Sequence, residues 1–395
     1  VKKMEQLGLR TEKGFAITGV KAYLNEDKKE NASLALLGEL DALRIPEHAF
    51  ANPETNAAHC CGHHAQMAGV FGAALALTVP EIAEKLDGQV VFFATPAEEY
   101  GEIEFKNQLR EQGKIRYGGG KCELLRIGAF DDIDLCLTHH IRPGNEILVG
   151  SGTGNGFVSK VIRVLGKASH AAGAPEKGVN ALSAASLGLQ ALGLNRETFR
   201  DEDCVRVHPI ITKGGNLVNV IPDEVVVETL VRGKTIEAFT DAAKKTDRSF
   251  KAGAIAMGAK VEISTLPGYL PTLAEEALPE LKHAAEISAS GIPVIEASGH
   301  AGGSTDVGDV QHLMPVYTFN TGGVKGGLHQ IDFEVTDEEE AYIVTAKMFA
   351  LAAYGLLKEK AQRSRELVDQ YEPVFKNSAE YVEFMEQFDS KEIFE

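Results

Sequence analysis

Short apolar runs alternate with helical patterns along the first part of the chain. Residues 33–40 read SLALLGEL and residues 89–96 read QVVFFATP, and a helical pattern lies between them from His63 to Leu77. A short helical pattern at 121–127 then precedes the apolar run DIDLCLTHH. Strands that alternate with helices are typical of a parallel sheet with crossover helices. We therefore predict an α/β domain with a mixed, mostly parallel sheet flanked by helices.

The pattern changes after the glycine cluster at 150–156. Two pairs of β-branched strands follow, with helical patterns at 178–193 and 236–257, and the first pattern returns near Pro267. This arrangement favours an inserted α+β domain of the ferredoxin-like type. We place the two parts of the α/β domain at 1–151 and 267–357, the inserted domain at 152–266, and an acidic helical tail at 358–395.

A capping-box pattern, Thr336 with Glu339, predicts the start of a long helix that ends near Leu357. Its apolar residues Val344 and Met348 fall on one face, together with Leu351. The pattern of the α/β domain thus runs from Pro267 to this helix.

The charge and cysteine content narrow the classes of function. Acidic residues outnumber basic ones by 57 to 40, giving a formal charge of -17, which disfavours binding to nucleic acids or membrane surfaces. The chain has only five cysteines, and a small, odd number of cysteines in a long chain does not indicate a disulfide framework. We therefore expect a reducing, cytoplasmic location. The chain opens with Val1 and no leader pattern, and we expect that upstream residues precede it.

The segment AHCCGHHA carries the strongest local chemical signal. Cys61 and His63 stand two residues apart where a helix is predicted to begin. Thiolate and imidazole are suitable ligands for zinc and related divalent ions, and a helix N-terminus favours a thiolate. A buried cysteine with surface histidines is the alternative for this segment alone. No C-x-x-C pair accompanies it, which disfavours a closed structural zinc site.

Other polar residues follow the predicted strands. Glu98 and Glu99 come directly after VVFFA, His139 and His140 end the next predicted strand, and His329 lies in a glycine-rich segment. Each of them taken alone is more often structural or solvent-facing than functional. Because successive parallel strands end at one edge of a sheet, these side chains can converge there with Cys61. We therefore predict a metal site at that edge.

The ordered set of motifs resembles the M20 metallopeptidases, and in particular their amidohydrolase branch, which includes aminoacylases, aminobenzoyl-glutamate hydrolases and Xaa-Arg dipeptidases. The motifs that carry this resemblance, between Gly38 and Leu357, are GELDAL, HCCGHH, TPAEE, GGGK, GAFDDID, THHI, SHAAGAPEKGVNAL, NLVNVIPD, GGSTDVGDV and GGLH. The resemblance implies a catalytic domain with two divalent metal ions (zinc, manganese, cobalt or nickel). It also implies that the inserted domain is a lid through which a homodimer forms.

The resemblance also implies a role for individual residues. Cys61 takes the position that bridges the two metals, and Glu98 that of the general base. The remaining ligand positions fall on His63, Glu99, His140 and His329. Asp41 resembles a residue that orients a metal-binding histidine, and His170 one that stabilises the tetrahedral intermediate in a partner subunit. Substrate-binding positions fall on Asn219, Arg232, Gly303, Ser304 and Thr305.

The chain departs from the family pattern in three places. His64 stands where the family usually has Asp or Asn, Cys60 adds a second thiol, and residues 100–117 lengthen the segment between AEE and GGGK.

The implied reaction is hydrolysis of a small N-acyl amino acid, an aminobenzoyl-glutamate-like compound or a dipeptide. Two alternatives stay open at the level of sequence. One is a non-catalytic binding protein of the same fold, and the other is a thiol-based redox enzyme that uses Cys60 and Cys61.

Overall fold

A computed structural model describes all 395 residues, Val1–Glu395. The chain folds into two compact units. Unit 1 comprises Val1–Thr153, Leu273–His300 and Asp309–Tyr381; unit 2 comprises Gly154–Thr272, Ala301–Gly308 and Val382–Glu395. Unit 2 thus extends a few residues beyond the predicted insertion of 152–266 and includes two later stretches of chain.

The helices and strands are numbered in chain order. The helices are α1 Lys2–Gln6, α2 His63–Leu77, α3 Pro80–Ala83, α4 Ile103–Glu111, α5 Gly120–Arg126, α6 Ala181–Asn195, α7 Ile236–Met257, α8 Pro279–Ser288, α9 Val307–Gln311, α10 Thr345–Gln370 and α11 Ser378–Glu386. The strands are β1 Arg10–Phe15, β2 Gly19–Leu24, β3 Ser33–Glu39, β4 Leu43–Arg44, β5 Ala57–Ala58, β6 Gln89–Thr95, β7 Leu135–Ile141, β8 Ile147–Val149, β9 Thr153–Gly154, β10 Gly156–Leu165, β11 Arg206–Val207, β12 Ile210–Lys213, β13 Glu224–Gly233, β14 Lys260–Tyr269, β15 Val294–Glu296, β16 His300–Ala301, β17 Val316–Thr321, β18 Val324–Lys325, β19 Glu334–Val335 and β20 Ser390–Phe394.

Unit 1 is built on an eight-stranded mixed sheet in the order β1-β2-β6-β3-β7-β17-β8-β15. Its central strands β6, β3, β7 and β17 are parallel, whereas β1 and β2 join antiparallel. Every residue of β3 and β6 is buried, because both faces of a central parallel strand are covered. The predicted mixed α/β sheet flanked by helices is confirmed.

Helices α2 and α10 pack against each other and against the sheet of unit 1. Helix α2 spans the predicted residues, and its small side chains allow close approach. A methyl group at Gly69 would lie 2.4 Å from Thr345 Cγ2 of α10. The stretch Glu339–Gln370 is long and apolar enough to cross a bilayer by composition, and half of its most apolar window is buried in the protein. Its apolar residues form part of the core.

The predicted capping box at Thr336 and Glu339 is wrong. The Thr336 hydroxyl donates to the carbonyl of Gly323 at 3.3 Å, and the Asp337 carboxylate instead accepts from the Glu340 N–H at 3.0 Å. Asp337 is the better cap because a carboxylate accepts more strongly from the unpaired N–H groups of a first turn. The helix begins with a π-type turn at Glu339–Val344. Its regular part ends at Leu357 as predicted, because Lys358, Glu359, Lys360 and Ala361 have non-helical backbone angles that separate it from a second helical stretch within the bounds of α10.

Unit 2 contains a sheet in the order β11-β13-β10-β14-β20, with β12 also paired to β13, and all of these pairs are antiparallel. Helices α6 and α7 pack on it around a shared apolar core. The strand β13 alternates buried and partly buried residues along its length, as a sheet with one covered face requires.

The prediction of a helical tail over 358–395 is wrong for its last residues. Ser390–Phe394 forms β20, which pairs antiparallel with β14. The pairing satisfies the backbone groups of an edge strand, and ion pairs from Lys251 to Glu392 and from Lys391 to Glu262 support it. A partner strand distant in sequence therefore decided the conformation of this segment.

Candidate metal centre

The predicted ligands converge at one edge of the sheet of unit 1. Glu99 follows β6, His140 lies near the end of β7, and His63 is the first residue of α2; Glu39, which was not among the predicted ligands, ends β3 beside them. The loop between β18 and β19 supplies His329, whose backbone N–H donates to the Cys60 carbonyl at 2.9 Å. The carboxyl ends of parallel strands therefore form the floor of this cluster.

Two groups of potential ligand atoms share the thiol of Cys61. One consists of Cys61, His63 and His140, and the other of Cys61, Glu99 and His329; within each group all ligand atoms lie within 4.8 Å of one another. The Cys61 Sγ atom is 3.4 Å from His140 Nε2 and 3.3 Å from His329 Nε2. His329 Nε2 in turn lies 2.9 Å from Glu99 Oε1. A shared thiolate between two such groups is a suitable arrangement for two cations.

The imidazole rings are oriented through their second nitrogen. His63 Nδ1 lies 3.1 Å from both Asp41 Oδ1 and the Asp41 carbonyl, and His140 Nδ1 lies 2.7 Å from the Ile141 carbonyl. With a proton on each Nδ1, both Nε2 atoms present a lone pair to the centre. The other oxygen of Asp41 accepts from the Glu99 N–H at 2.8 Å, so that one carboxylate links two ligand segments.

Strand alternation separates His139 from His140. Successive side chains of β7 point to opposite faces of the sheet, and His139 is buried between Phe319 and Phe349 with its Nε2 2.8 Å from Thr321 Oγ1. His140 therefore contributes to the cluster, and His139 belongs to the core.

Adjacent carboxylates diverge in the same way. Glu99 joins Cys61 and His329, whereas Glu98 forms a third group with Glu39 and His63, again within 4.8 Å. The turn that separates this pair from β6 places Ala97 at φ 52, a left-handed conformation that alanine rarely adopts. The turn thus directs two neighbouring carboxylates to different places in one site.

Sequence reasoning missed a buried charged network beside the cluster. Glu39 Oε2 lies 3.2 Å from His63 Nε2, and Lys121 Nζ lies 2.5 Å from Glu39 Oε1. The Gln66 side-chain amide donates to Glu39 Oε2 at 2.9 Å. Two features of the sequence could have indicated this network. Glu39 is a charged residue at the end of a strand that is otherwise apolar, and Lys121 lies inside the segment GGGKCELL.

Negative charge accumulates in this buried site. The pKa of His63 is raised to about 12: burial alone lowers it, but the nearby Glu39 carboxylate and the Asp41 hydrogen bond outweigh that effect. Burial would raise the pKa of Asp41, but the hydrogen bond and the charge of His63 lower it to about 2. Burial raises the pKa of the Cys61 thiol to about 12, so the protein alone does not stabilise a thiolate there. A metal cation supplies the positive charge that ionises such a thiol.

Two buried atoms of the cluster support a fit to divalent cations. His63 Nε2 and Glu99 Oε1 make no hydrogen bond, although Glu39 and His329 lie close to them, because the contact geometry does not satisfy a hydrogen bond. Buried polar atoms rarely stay without a partner. The donor set of one thiol, three imidazoles and a carboxylate suits zinc and related divalent ions.

The two unusual residues of the CCGHH segment point away from the cluster. The His64 ring lies 5.4 Å from that of His59 and 5.9 Å from that of Tyr342, and burial lowers the pKa of His64 to about 4. The Cys60 Sγ lies 3.7 Å from the Ala58 carbonyl and packs in a small apolar cluster that includes Phe333.

The predicted substrate-binding residues and His170 belong to unit 2. Arg232 Nη1 donates to Ser304 Oγ at 3.3 Å, which brings two of them together. Asn219 accepts from the Ala171 N–H at 3.0 Å, next to His170. Gly303 accepts from the Asn155 N–H, and Thr305 Oγ1 accepts from the Val307 N–H. The roles of these residues toward a substrate stay predictions.

Comparison with known proteins adds independent information. Residues 35–354 match the model of peptidase family M20/M25/M40. The chain is 28% identical to mouse Xaa-Arg dipeptidase over 311 residues, which cover 77% of this chain and 64% of that protein. It is 30% identical to one of the polypeptides of Escherichia coli p-aminobenzoyl-glutamate hydrolase over 239 residues, covering 59% of this chain and 44% of that polypeptide. The chain thus spans less than two thirds of the length of these relatives.

Solved structures share the fold. The Bacillus subtilis YxeP protein, a dinuclear metal-binding peptidase of the M20 family, is 23% identical with a TM-score of 0.60 and 90% of each chain covered. The aminobenzoyl-glutamate utilization protein of Klebsiella pneumoniae is 18% identical with a TM-score of 0.62, covering 91% of this chain and 90% of that chain. Similarity at this level concerns the arrangement of the backbone.

Proposed function

The chain belongs to peptidase family M20/M25/M40, and from this premise we propose that it hydrolyses an amide bond with the help of two divalent cations. The substrate class is a small N-acyl amino acid, an aminobenzoyl-glutamate-like compound or a dipeptide. The observation that carries the proposal is the pair of ligand groups that share Cys61, with Glu98 beside them.

Divalent cations held by Cys61, His63, Glu99, His140 and His329 would polarise the scissile carbonyl and lower the pKa of a water molecule. The chain's own contribution to proton transfer is Glu98, whose carboxylate lies in the group with His63 and Glu39. In this role Glu98 accepts a proton from the attacking water and returns it to the leaving amine.

Asp41 and Glu39 act through the ligands. Asp41 holds the Nδ1 side of His63 and the backbone of Glu99, and therefore fixes two ligand segments relative to each other. Lys121 and Gln66 hold the Glu39 carboxylate in place, and this carboxylate in turn lies beside the Nε2 atom of the His63 ring. Fixed ligands reduce the reorganisation that the reaction requires.

The residues of unit 2 complete the proposal. Arg232 is suited to bind a substrate carboxylate, with Asn219 and the segment 303–305 as further contacts, and His170 would stabilise the oxyanion in a partner subunit. A homodimer through unit 2 is part of this proposal. Exposed Leu217 and Val218 in unit 2 support it, because they are 64% and 104% exposed and an apolar surface of this kind favours association.

The thiol-redox alternative is disfavoured by the arrangement of the two cysteines. Cys60 faces an apolar cluster, while Cys61 contacts two imidazoles of the metal cluster. Burial also raises the pKa of Cys61, which opposes a nucleophilic thiolate in the absence of metal.

The test compares Glu98→Ala with the unchanged chain on a panel of N-acyl amino acids and dipeptides. Zn²⁺, Mn²⁺, Co²⁺ or Ni²⁺ is added, and the bound metal is measured by elemental analysis. We expect Glu98→Ala to keep its metal but to lose at least ~100-fold in kcat, the low end for removal of a general base. Glu104→Ala, an exposed carboxylate in the first turn of α4, is the matched control and should keep full activity.

Either of two results would contradict the proposal. A fully active Glu98→Ala variant would remove the assignment of the general base. A metal-loaded chain that hydrolyses no member of the panel would favour the non-catalytic binding protein.

A further inference from the structure

A cavity of about 760 Å³ lies within unit 1 beside the metal cluster. Asp41 and Glu99 line it, so it is continuous with the candidate site. The volume is within the range of small-molecule sites, about 300–1,000 Å³. The proposed reaction uses Asp41 and Glu99 but assigns nothing to the remaining walls of this cavity.

The segment 100–117 is one of the departures from the family pattern, and both of its ends lie beside the cluster. Its base is closed where the Gly120 N–H donates to the Ala97 carbonyl at 2.9 Å. A methyl group at Gly118 would lie 2.6 Å from the Tyr100 ring, so glycine is required for this approach. The Glu123 carboxylate accepts from the N–H groups of Arg116 and Tyr117, at 3.0 Å each. The inserted segment is therefore fixed in place at both ends.

Apolar side chains of the inserted segment form one wall of the cavity. Phe105 and Leu109 are four residues apart on α4, hence on one face of that helix, and both line the cavity. Ile115 and Tyr117 also line the cavity, as does Ile17 in the loop between β1 and β2. Phe105 is 55% exposed, although a large aromatic ring is stabilised by burial. A bound apolar group would cover it.

Several charged residues line the cavity, among them Arg44, Glu102, Lys106 and Lys114. The Lys106 ammonium donates to the Glu99 carbonyl at 2.7 Å and lies 4.9 Å from the centre of the Tyr100 ring. Arg44 and Glu102 lie 3.9 Å apart, and both are largely exposed. Lys106 and the Arg44–Glu102 pair are thus held by other groups of the chain, and apolar side chains form much of the remaining lining. An uncharged, apolar group fits this distribution.

We propose that this cavity binds the acyl side of the substrate and selects a bulky apolar acyl group, such as a medium-length alkyl chain or an aryl group. The inference rests on the proposed function for the position of the scissile bond. Phe105 and Leu109 are its specificity-determining residues. Each added methylene that enters the cavity should improve kcat/KM about fourfold, equivalent to about 0.8 kcal/mol, until the cavity is filled.

The first experiment measures kcat/KM of the metal-loaded chain for N-acetyl-, N-butanoyl-, N-hexanoyl- and N-octanoylglycine. Glycine keeps the amino-acid side constant. We expect kcat/KM to rise steadily with chain length, and a Phe105→Ala variant should lower the ratio of kcat/KM for octanoylglycine to that for acetylglycine by at least ~10-fold. The Leu109→Glu variant places a charge in the cavity without removing side-chain volume. It should abolish the preference for longer acyl chains.

Phe50→Ala is the matched control. Phe50 is 74% exposed and lines a different cavity of unit 1, together with His48 and His64. The Phe50→Ala variant should leave the dependence of kcat/KM on acyl chain length unchanged. If Phe50→Ala abolishes the preference and Phe105→Ala does not, the acyl group binds in that other cavity and the proposal is overturned.

A second experiment separates this inference from the proposed function. Isothermal titration calorimetry on the full chain after treatment with a chelator measures binding of acetylglycine and octanoylglycine without any reaction. Tighter binding of octanoylglycine that is lost in Phe105→Ala supports the cavity even if no amide is hydrolysed. Active enzyme with no chain-length dependence in binding or in kcat/KM overturns the cavity and leaves the hydrolase intact.

Discussion

At the scale of single residues, two carboxylates next to each other in sequence are brought to different tasks. Glu98 and Glu99 follow the same strand, yet Glu99 faces Cys61 and His329 while Glu98 faces Glu39 and His63. Adjacent residues that leave a strand in extended conformation point in opposite directions. The sequence alone predicts this divergence, and the strained turn at Ala97 sets its final direction.

Glu275 should make the stability of the chain depend on pH. Burial raises its pKa to about 8, although Thr318 donates to its carboxylate from the backbone N–H at 2.8 Å and from the hydroxyl at 3.2 Å. Because the pKa in the folded state lies above the unfolded value of 4.5, the stabilising contribution is fully present below about pH 4.5 and is lost as the pH rises through 8. The loss is at most about 1.4 kcal/mol per pH unit, and less because part of the residue reaches solvent.

The corresponding test is Glu275→Gln, which keeps the shape but cannot ionise. Denaturant unfolding at pH 5.5, 7 and 8.5 should show the variant gaining stability relative to the unchanged chain as the pH rises. The neighbouring exposed Glu276→Gln should show no such trend. Parallel pH profiles for Glu275→Gln and the unchanged chain would refute the role of Glu275.

At the scale of elements, the inserted segment depends on a close contact between two backbones. A methyl group at Gly120 would lie 1.5 Å from the Pro96 carbonyl oxygen, so the backbone must move to accept any side chain there. The residues displaced are those that carry Glu98 and Glu99. One glycine thus connects the position of the α5 helix to the position of two site residues.

Gly120→Ala should therefore lower both stability and activity. We expect a loss of about 1–3 kcal/mol in the free energy of unfolding, as in overpacked cores, together with reduced hydrolysis. Gly101→Ala is the control, because no heavy atom lies within 4 Å of the added methyl group. A stable Gly120→Ala variant with normal kinetics would show that the turn at 96–99 tolerates displacement.

At the scale of the whole molecule, the metal cluster joins parts of the chain that are far apart in sequence. Cys61 and His329 meet at 3.3 Å although 268 residues separate them. A ligand that binds only the folded chain stabilises it in proportion to the logarithm of its concentration. Metal binding should therefore stabilise the fold as well as supply catalysis.

Chelator treatment should lower the unfolding temperature, and added Zn²⁺ or Mn²⁺ should restore it. At a metal concentration of 100 times Kd the expected gain is about 2.7 kcal/mol. His329→Ala should lose most of this response, whereas the exposed His283→Ala should retain it. A metal response that is equal in all three chains would place the stabilising ion elsewhere.

The fold was predictable where the local sequence pattern favours the same secondary structure that tertiary packing requires. Helices α2 and α7 begin and end at the predicted residues, because their apolar content and the turns that bound them are local properties. The failures lie where a distant partner decides. The tail strand β20 exists because β14 offers an open edge, and nothing in its own residues selects a strand over a helix.

The sequence by itself determined the family, the mixed α/β sheet and the convergence of a thiol, imidazoles and carboxylates at one sheet edge. These follow from periodicity and from the types of residue that end each strand. Only the tertiary structure decided that Lys121 and Glu39, 82 residues apart, form a buried pair beside His63, and that residues 100–117 enclose an apolar cavity. Contacts of this kind depend on which surfaces the packed elements bring together, and no local pattern of residues records them.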